Sequence, residues 1–311
     1  MGSSRFRRRR SGGVAIKGVV TVSFDDMPNL GEMSLDEGPA YSAWAVEQSK
    51  KVVANSRTAL DIPYGDDFFQ KLDIFLPDDE TLTDLPVLIF YHGGAWRHGF
   101  KEWQGFMAPP ITSLPAILVS PNYRLAPDTK YPDSFQDVID AIVWVYRNIL
   151  PYGGDKRRIF VGGHSAGGHL SALAALRPDL ILANLIPKDT IKGCFPLSAP
   201  LDLRLSECQP GGRRERLIKL FLKSDDQDHE ASATEHTAGN KVPFFLAWGS
   251  EDLPELPGHN KLMVERMQQE DCIFEHHVFE GFSHFDTHKS CQNEDYLWVQ
   301  KVRDWLANGP S

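Results

Sequence analysis

Residues 158–177 read RIFVGGHSAGGHLSALAALR, and their setting decides the fold. RIFVGG (158–163) is a short β-branched, apolar run, and AGGHLSALAALR (166–177) favours a helix that stops before Pro178. Between them stands Gly163-His164-Ser165-Ala166-Gly167, a match to G-x-S-x-G. A strand that turns straight into a helix strains the backbone at the serine, so its neighbours must be small. Gly163, Ala166, Gly167 and Gly168 meet that need. The hydroxyl then stands at a helix N-terminus, where partial positive charge favours a developing oxyanion. The five-residue pattern alone recurs by chance. Its strand–turn–helix setting makes Ser165 a candidate nucleophile.

Outward from this turn, element types alternate. TALDIP (58–63) and QKLDIFLP (70–77) read as strands around turn residues. PVLIFY (86–91) and AILVSPNY (116–123) are continuous apolar runs, as strands buried on both faces of a parallel sheet require. Apolar residues recur at helical spacing over Ser134–Ile149, and Pro151 with Gly153 and Gly154 ends that helix. IKGCFPLS (191–198), VPFFLAWG (242–249) and FEHHVF (274–279) read as further strands, with helices over Gly258–Glu270 and Glu294–Leu306. This pattern predicts an α/β fold with a mainly parallel central sheet and helices on both faces. The helical stretch AYSAWAVEQSKKVV (40–53) precedes the sheet, and residues 201–240 form a charged insertion between two buried strands. An insertion there runs over the carboxyl edge of the sheet, where ligands of open α/β sheets bind. We therefore expect a basic tail over 1–29 and one domain over 30–311, with a small cap from about 30–56 and 201–240.

A serine nucleophile needs oxyanion donors, a base and an acid. Tyr91-His92-Gly93-Gly94-Ala95-Trp96 follows a strand directly, and its glycines leave main-chain N–H groups unobstructed. Gly93, Gly94 and Ala166 are the candidate oxyanion hole. In this architecture the acid and base follow the serine in that order. Asp252 lies just past VPFFLAWG, and His284 lies on the loop after FEHHVF. Ser165, Asp252 and His284 are thus the candidate triad. Glu251 and Asp202 compete for the acid, while His92 reads as a structural loop residue. His276 and His277 fall inside a strand, and His259 and His288 read as surface residues.

No cofactor or metal is expected. His284-Phe285-Asp286-Thr287-His288 has no second cluster to complete a zinc site. Asp226–Glu230 opens like a calcium loop, but Ala231 and Thr237 stand where glycine and glutamate belong. No phosphate-binding fingerprint is present. The 311 residues are 41% hydrophobic and 24% charged, with a net charge of −9 that argues against a nucleic-acid partner. Residues 1–17 hold five Arg, one Lys and no acid, so the remainder carries 27 basic against 42 acidic residues, −15. The arginine run reads as a solvated tail, with organelle targeting as the minority reading. No apolar run approaches the ~18 residues of a membrane helix. Cys194, Cys208, Cys272 and Cys291 are widely spaced, which leans towards reduced thiols in a cytoplasmic protein. A homodimer stays open.

HGGAW, NYRLAP (122–127), GHSAGGH (163–169) and GFSHFD (281–286) together resemble α/β-hydrolases, namely the hormone-sensitive-lipase-like and kynurenine-formamidase-like esterases. The resemblance spans about residues 57–306, and the HGG-aromatic form and SHFD sit nearer the formamidase-like branch. Residue 95 is Ala where lipase-like members usually have a third Gly. The resemblance implies attack on a carboxylic ester of a small, aromatic substrate, or alternatively on an aryl formamide, through an acyl-enzyme. A hydrolase-fold small-ligand receptor is the alternative of another class. Trp96 either lines the substrate pocket or fills the cap interface. Arg97, His98 and Lys101 either meet a substrate carboxylate or are solvated.

Overall fold

The computed structural model describes Phe24, residues 26–33 and residues 35–310; the arginine run lies outside the described residues. Its centre is an eight-stranded sheet in the order β1-β2-β4-β3-β5-β6-β7-β8. The strands are β1 (Arg57–Pro63), β2 (Lys71–Leu76), β3 (Leu85–Tyr91), β4 (Ile117–Pro121), β5 (Gly154–His164), β6 (Ile191–Leu197), β7 (Phe244–Glu251) and β8 (Phe274–Ser283). β2 pairs antiparallel with β1 and β4, and every pairing from β4 to β8 is parallel. This is the doubly covered α/β sheet that the alternation predicts.

The helices are α1 (Gly38–Val53), α2 (Ala108–Thr112), α3 (Asp133–Asn148), α4 (Ala166–Leu176), α5 (Pro178–Ala183), α6 (Arg213–Phe221), α7 (Leu256–Gln269), α8 (His284–Lys289) and α9 (Leu297–Asn308). Alternation along β3 shows how the sheet is covered. Val87, Ile89 and Tyr91 point into a core shared with α3, α4 and α7, whereas Leu88 and Phe90 point into one shared with α1 and α9. β3 is buried at every position. β5 is longer than the expected 158–163, because Gly154 already pairs with Leu85. α2, α5 and α8 carry no periodic signal in the sequence, since five or six residues make too little of a helical stripe to read.

Several polar side chains lie deep inside. Lys101 is buried, not solvated. Its Nζ lies 2.9 Å from Asp61, 2.9 Å from Asp73 and 2.7 Å from Glu102. Burial pushes the Asp73 carboxyl up to about 6, against the pull of Lys101. His259 and His288 are also buried, not on the surface, and so are His92 and His169. Burial drives all four rings down, to about 4 for His92 and His169 and about 3 for His259 and His288.

Two outcomes follow for stability. Lys101→Met leaves three carboxylates facing one another without their cation and is expected to cost about 3–5 kcal/mol in urea unfolding. A loss under about 1 kcal/mol would show that the cluster is solvated. The four histidines are neutral in the fold and titrate near 6.5 when unfolded, so the unfolded chain takes up their protons first. Their contribution is complete above about pH 6.5 and is lost as pH falls below it. Unfolding at pH 5.5 should require about 2–5 kcal/mol less than at pH 7.5. A flat profile over that range would mean the rings are protonated or exposed in the native state.

Candidate active site

The turn between β5 and α4 holds Ser165 at φ 54°, ψ −123°, a conformation that costs about 1–3 kcal/mol for a residue with a side chain. The surroundings enforce it. A Cβ on Gly167 would lie 2.1 Å from the Tyr91 carbonyl oxygen, and one on Gly163 would lie 2.3 Å from the Gly167 carbonyl carbon. Neither position can carry a side chain unless the helix moves off the sheet. The Ser165 N–H donates to Leu197 O at 2.9 Å, and its carbonyl accepts from His169 N at 3.0 Å. The main chain is thus pinned on both sides, and the hydroxyl is left to face the cavity.

β3 lies beside β5 with Tyr91 opposite Gly163, so the loop leaving β3 passes next to Ser165. A Cβ on Gly93 would lie 3.0 Å from Ser165 Cβ. Gly94 has φ 115°, and Ala95 and Trp96 follow at φ 52° and 59°, so three consecutive residues occupy the left-handed region. Glycine suits such a run, and Ala95 adopts it at a cost in strain. Neither the Gly93 nor the Gly94 N–H donates to a main-chain acceptor among the described residues. The Ala166 N–H opens a helix, where the first donors have no acceptor within the helix itself. His92 Nδ1–H donates to Gly93 O at 2.8 Å, and its ring stacks on Tyr123 with centroids 4.4 Å apart. Because Gly93 C=O and Gly94 N–H share one peptide plane, His92 also sets the direction of that donor. His92 is therefore a loop-positioning residue.

Trp96 is buried, stacks on Phe221 of α6 at 4.7 Å and donates from Nε1 to His169 Nδ1 at 3.2 Å. His169 Nε2–H in turn donates to Ala231 O at 2.6 Å. An indole N–H can only donate, which fixes the His169 tautomer. This chain of contacts joins the β3 loop, α4 and the 201–240 insertion. It favours the interface reading of Trp96, although the ring also borders the cavity.

β7 and β8 deliver the remaining two side chains. A Cβ on Gly249 would lie 2.0 Å from Phe282 O, so the two strands close tightly where their loops begin. Ser283 caps α8 in a capping box with Asp286, which starts the helix at His284. His284 Nδ1 lies 2.7 Å from Asp252 Oδ1, and Nε2 lies 3.0 Å from Ser165 Oγ. Burial alone would raise the Asp252 carboxyl, but its hydrogen bond to His284 and its attraction to the protonated form of that ring hold it below the usual range. An ionised carboxylate only accepts, so Nδ1 carries the proton and Nε2 accepts from the serine hydroxyl. Glu251 is exposed, and Asp202 is closed on Arg204 through two 2.9 Å contacts. Neither competitor reaches His284.

His164, the variable residue of the serine motif, was not singled out from sequence. Its Nε2–H donates to His284 O at 2.9 Å, and Thr287 Oγ1 donates to the same carbonyl at 2.9 Å. Its ring packs against His284 and His288, each with centroids 4.6 Å away. Tyr41 of α1 stacks on Phe285 at 4.5 Å and places its hydroxyl 2.6 Å from His288 Nδ1. The segment ahead of the sheet thus braces α8. Only a fold reveals such pairings, because 247 positions separate Tyr41 from His288.

Ser165 and His284 open onto a cavity bounded by Leu35 and Tyr41 on one side and Leu203, Leu217 and Ile218 on the other. Among the described residues, no three His, Cys, Asp or Glu side chains gather as metal ligands, the four cysteines are unpaired, and no helix is long and apolar enough to cross a membrane.

Known proteins carry the same arrangement of elements. The chain is 45% identical over 223 residues to esterase LipC of Mycobacterium tuberculosis, covering 66% of this chain and 54% of that protein. It is 34% identical over 149 residues to kynurenine formamidase of Danio rerio, covering 48% of each. The chain therefore spans about half the length of these curated relatives. An esterase of Pyrobaculum calidifontis superposes with a TM-score of 0.69 over 91% of this chain and 97% of that one, at 21% identity. That likeness shows the α/β-hydrolase fold. The family profile described as BD-FAE matches residues 72–257, more than half of the sequence, and the chain belongs to that family.

Proposed function

We propose that the chain is a serine hydrolase that cleaves carboxylic esters of small substrates, with aryl formamides as a second substrate class. The pair of contacts on His284, 3.0 Å to Ser165 Oγ and 2.7 Å to Asp252 Oδ1, carries this reading. Ser165 attacks the acyl carbon while His284 Nε2 takes the hydroxyl proton. Asp252 holds the ring in the productive tautomer and stabilises its charged form. The oxyanion is received by the N–H groups of Gly93, Gly94 and Ala166, set in place before the reaction begins. His284 then protonates the departing alkoxide or amine, and an acyl group remains on Ser165. Water, deprotonated by the same ring, attacks that acyl group and restores the serine. Residues 30–56 and 201–240 act as the cap, and Trp96 joins its insertion half to the oxyanion loop.

Ester hydrolysis comes first because the likeness to LipC is higher and longer than that to the formamidase. A hydrolase-fold receptor would need only the cavity, yet Ser165, His284 and Asp252 stand in hydrogen-bonded order.

In the test, Ser165→Ala and His284→Ala should each lower kcat on p-nitrophenyl butyrate by at least about 10⁴-fold, and Asp252→Asn by about 10³–10⁴-fold. A fluorophosphonate should label the wild-type chain and spare Ser165→Ala. Equal labelling of that variant, or full activity in His284→Ala, would remove these residues from the mechanism. Comparing kcat/KM on the butyrate with that on N-formylkynurenine should favour the ester. A ratio favouring the formamide would reverse the order of the two substrate classes.

A further inference from the structure

The cavity beside Ser165 is apolar over most of its wall, but one end carries charge. Arg213 and Arg214 of α6, Glu255 just before α7 and His259 of α7 border it together. Their hydrogen bonding is incomplete. Arg214 donates from Nη1 to Glu207 O at 3.1 Å and from Nη2 to Asp202 O at 2.8 Å, while its buried Nε has no partner among the described residues. His259 is 6% exposed, and neither ring nitrogen has a partner among the described residues. Burial and then the Arg214 guanidinium hold this ring neutral at pH 7, with one N–H to donate. Arg213 donates to one acceptor among the described residues, Glu255 Oε1 at 3.1 Å. The Arg213 side chain is 35% exposed, so the other donors of its fork are open to water or to an arriving acceptor, whereas Arg214 Nε and the His259 ring are buried.

Donors held out of water without acceptors are unfavourable, and an arriving acceptor relieves them. Two guanidinium groups face one carboxylate here, so the wall is net positive. The nearby Asp202 carboxylate is closed on Arg204 through two 2.9 Å contacts, with Arg214 Nη2 3.9 Å from its Oδ2. A planar carboxylate matches the arginine fork, and the apolar remainder of the cavity strengthens the attraction. We propose that this end of the cavity binds a carboxylate carried by the substrate, so that the preferred substrates are esters or amides with an anionic carboxylate remote from the scissile bond. This rests on the hydrolase reading of the same cavity. Glu255 has two effects under this proposal. It orients Arg213, and it competes with the incoming anion.

That double effect supplies the test. Mono-4-nitrophenyl adipate and 4-nitrophenyl hexanoate have acyl chains of equal length and differ in the terminal carboxylate. In the wild-type chain, kcat/KM for the adipate should exceed that for the hexanoate by at least about tenfold. Arg213→Gln should bring the ratio near unity, and Arg213→Lys should give an intermediate value. Glu255→Gln should raise the ratio above that of the wild type. Hexanoate turnover reports in every variant whether the catalytic centre is still assembled. A wild-type ratio at or below one, with hexanoate hydrolysed, overturns the carboxylate site and leaves the hydrolase reading intact. Arg213→Gln and Glu255→Gln moving the ratio in the same direction also overturns it, because the pair would then only brace α6 against α7. Absence of Ser165-dependent turnover of either ester overturns the hydrolase reading and the carboxylate site together.

Discussion

The backbone of Ser165 is the constraint on which the rest of the site depends. A residue with a side chain is held at φ 54°, ψ −123° where β5 turns into α4. Two close approaches hold it there: Gly167 against the Tyr91 carbonyl, and Gly163 against Gly167 itself. Because Tyr91 is the last residue of β3, the packing that bends the chain at Ser165 also brings the Gly93–Gly94 loop beside it. Strain, the position of the proposed nucleophile and that of the proposed oxyanion donors thus follow from one steric arrangement. The cost is met by the buried sheet and by hydrogen bonds from Ser165 to Leu197 and from His169 to Ser165.

A second layer of contacts converts this turn into a fixed geometry for the proposed base. His284 is the first residue of a six-residue helix, and an isolated helix of that length would not hold its shape in water. It is held by Ser283 at its cap and by His164 and Thr287 on its carbonyl. Phe285 and His288, one turn apart, are gripped by Tyr41 of α1. The helix that precedes the sheet in sequence therefore packs against the residues that position the imidazole. Neutral buried histidines suit this task, since each ring offers one donor and one acceptor without a charge to bury.

The fold was legible because its signals are local. Continuous apolar runs such as PVLIFY announce doubly covered strands, and the glycines around Ser165 announce a sharp turn whatever lies elsewhere. The order of Ser165, Asp252 and His284 was legible because each follows a strand end. Pairings across the fold were not. Nothing in the sequence near Lys101 says that Asp61 and Asp73 will surround it, and the result is a buried ion cluster in place of a solvated lysine. His259 and His288 lie in helices whose apolar stripes are weak or short, so their burial shows only once α1, α6 and the sheet close over them. His164 looked like a variable position inside a motif. Its partner, the His284 carbonyl, is brought near only by β8 and α8.

The central claim is that Ser165 becomes acylated during turnover. The most direct measurement mixes the chain with a p-nitrophenyl ester, quenches in acid within milliseconds to seconds, and reads the intact mass and the modified peptide. The account predicts one acyl group added per chain, on the peptide that contains Ser165, together with a burst of p-nitrophenolate. Turnover with no adduct, or with an adduct on another residue, would contradict it.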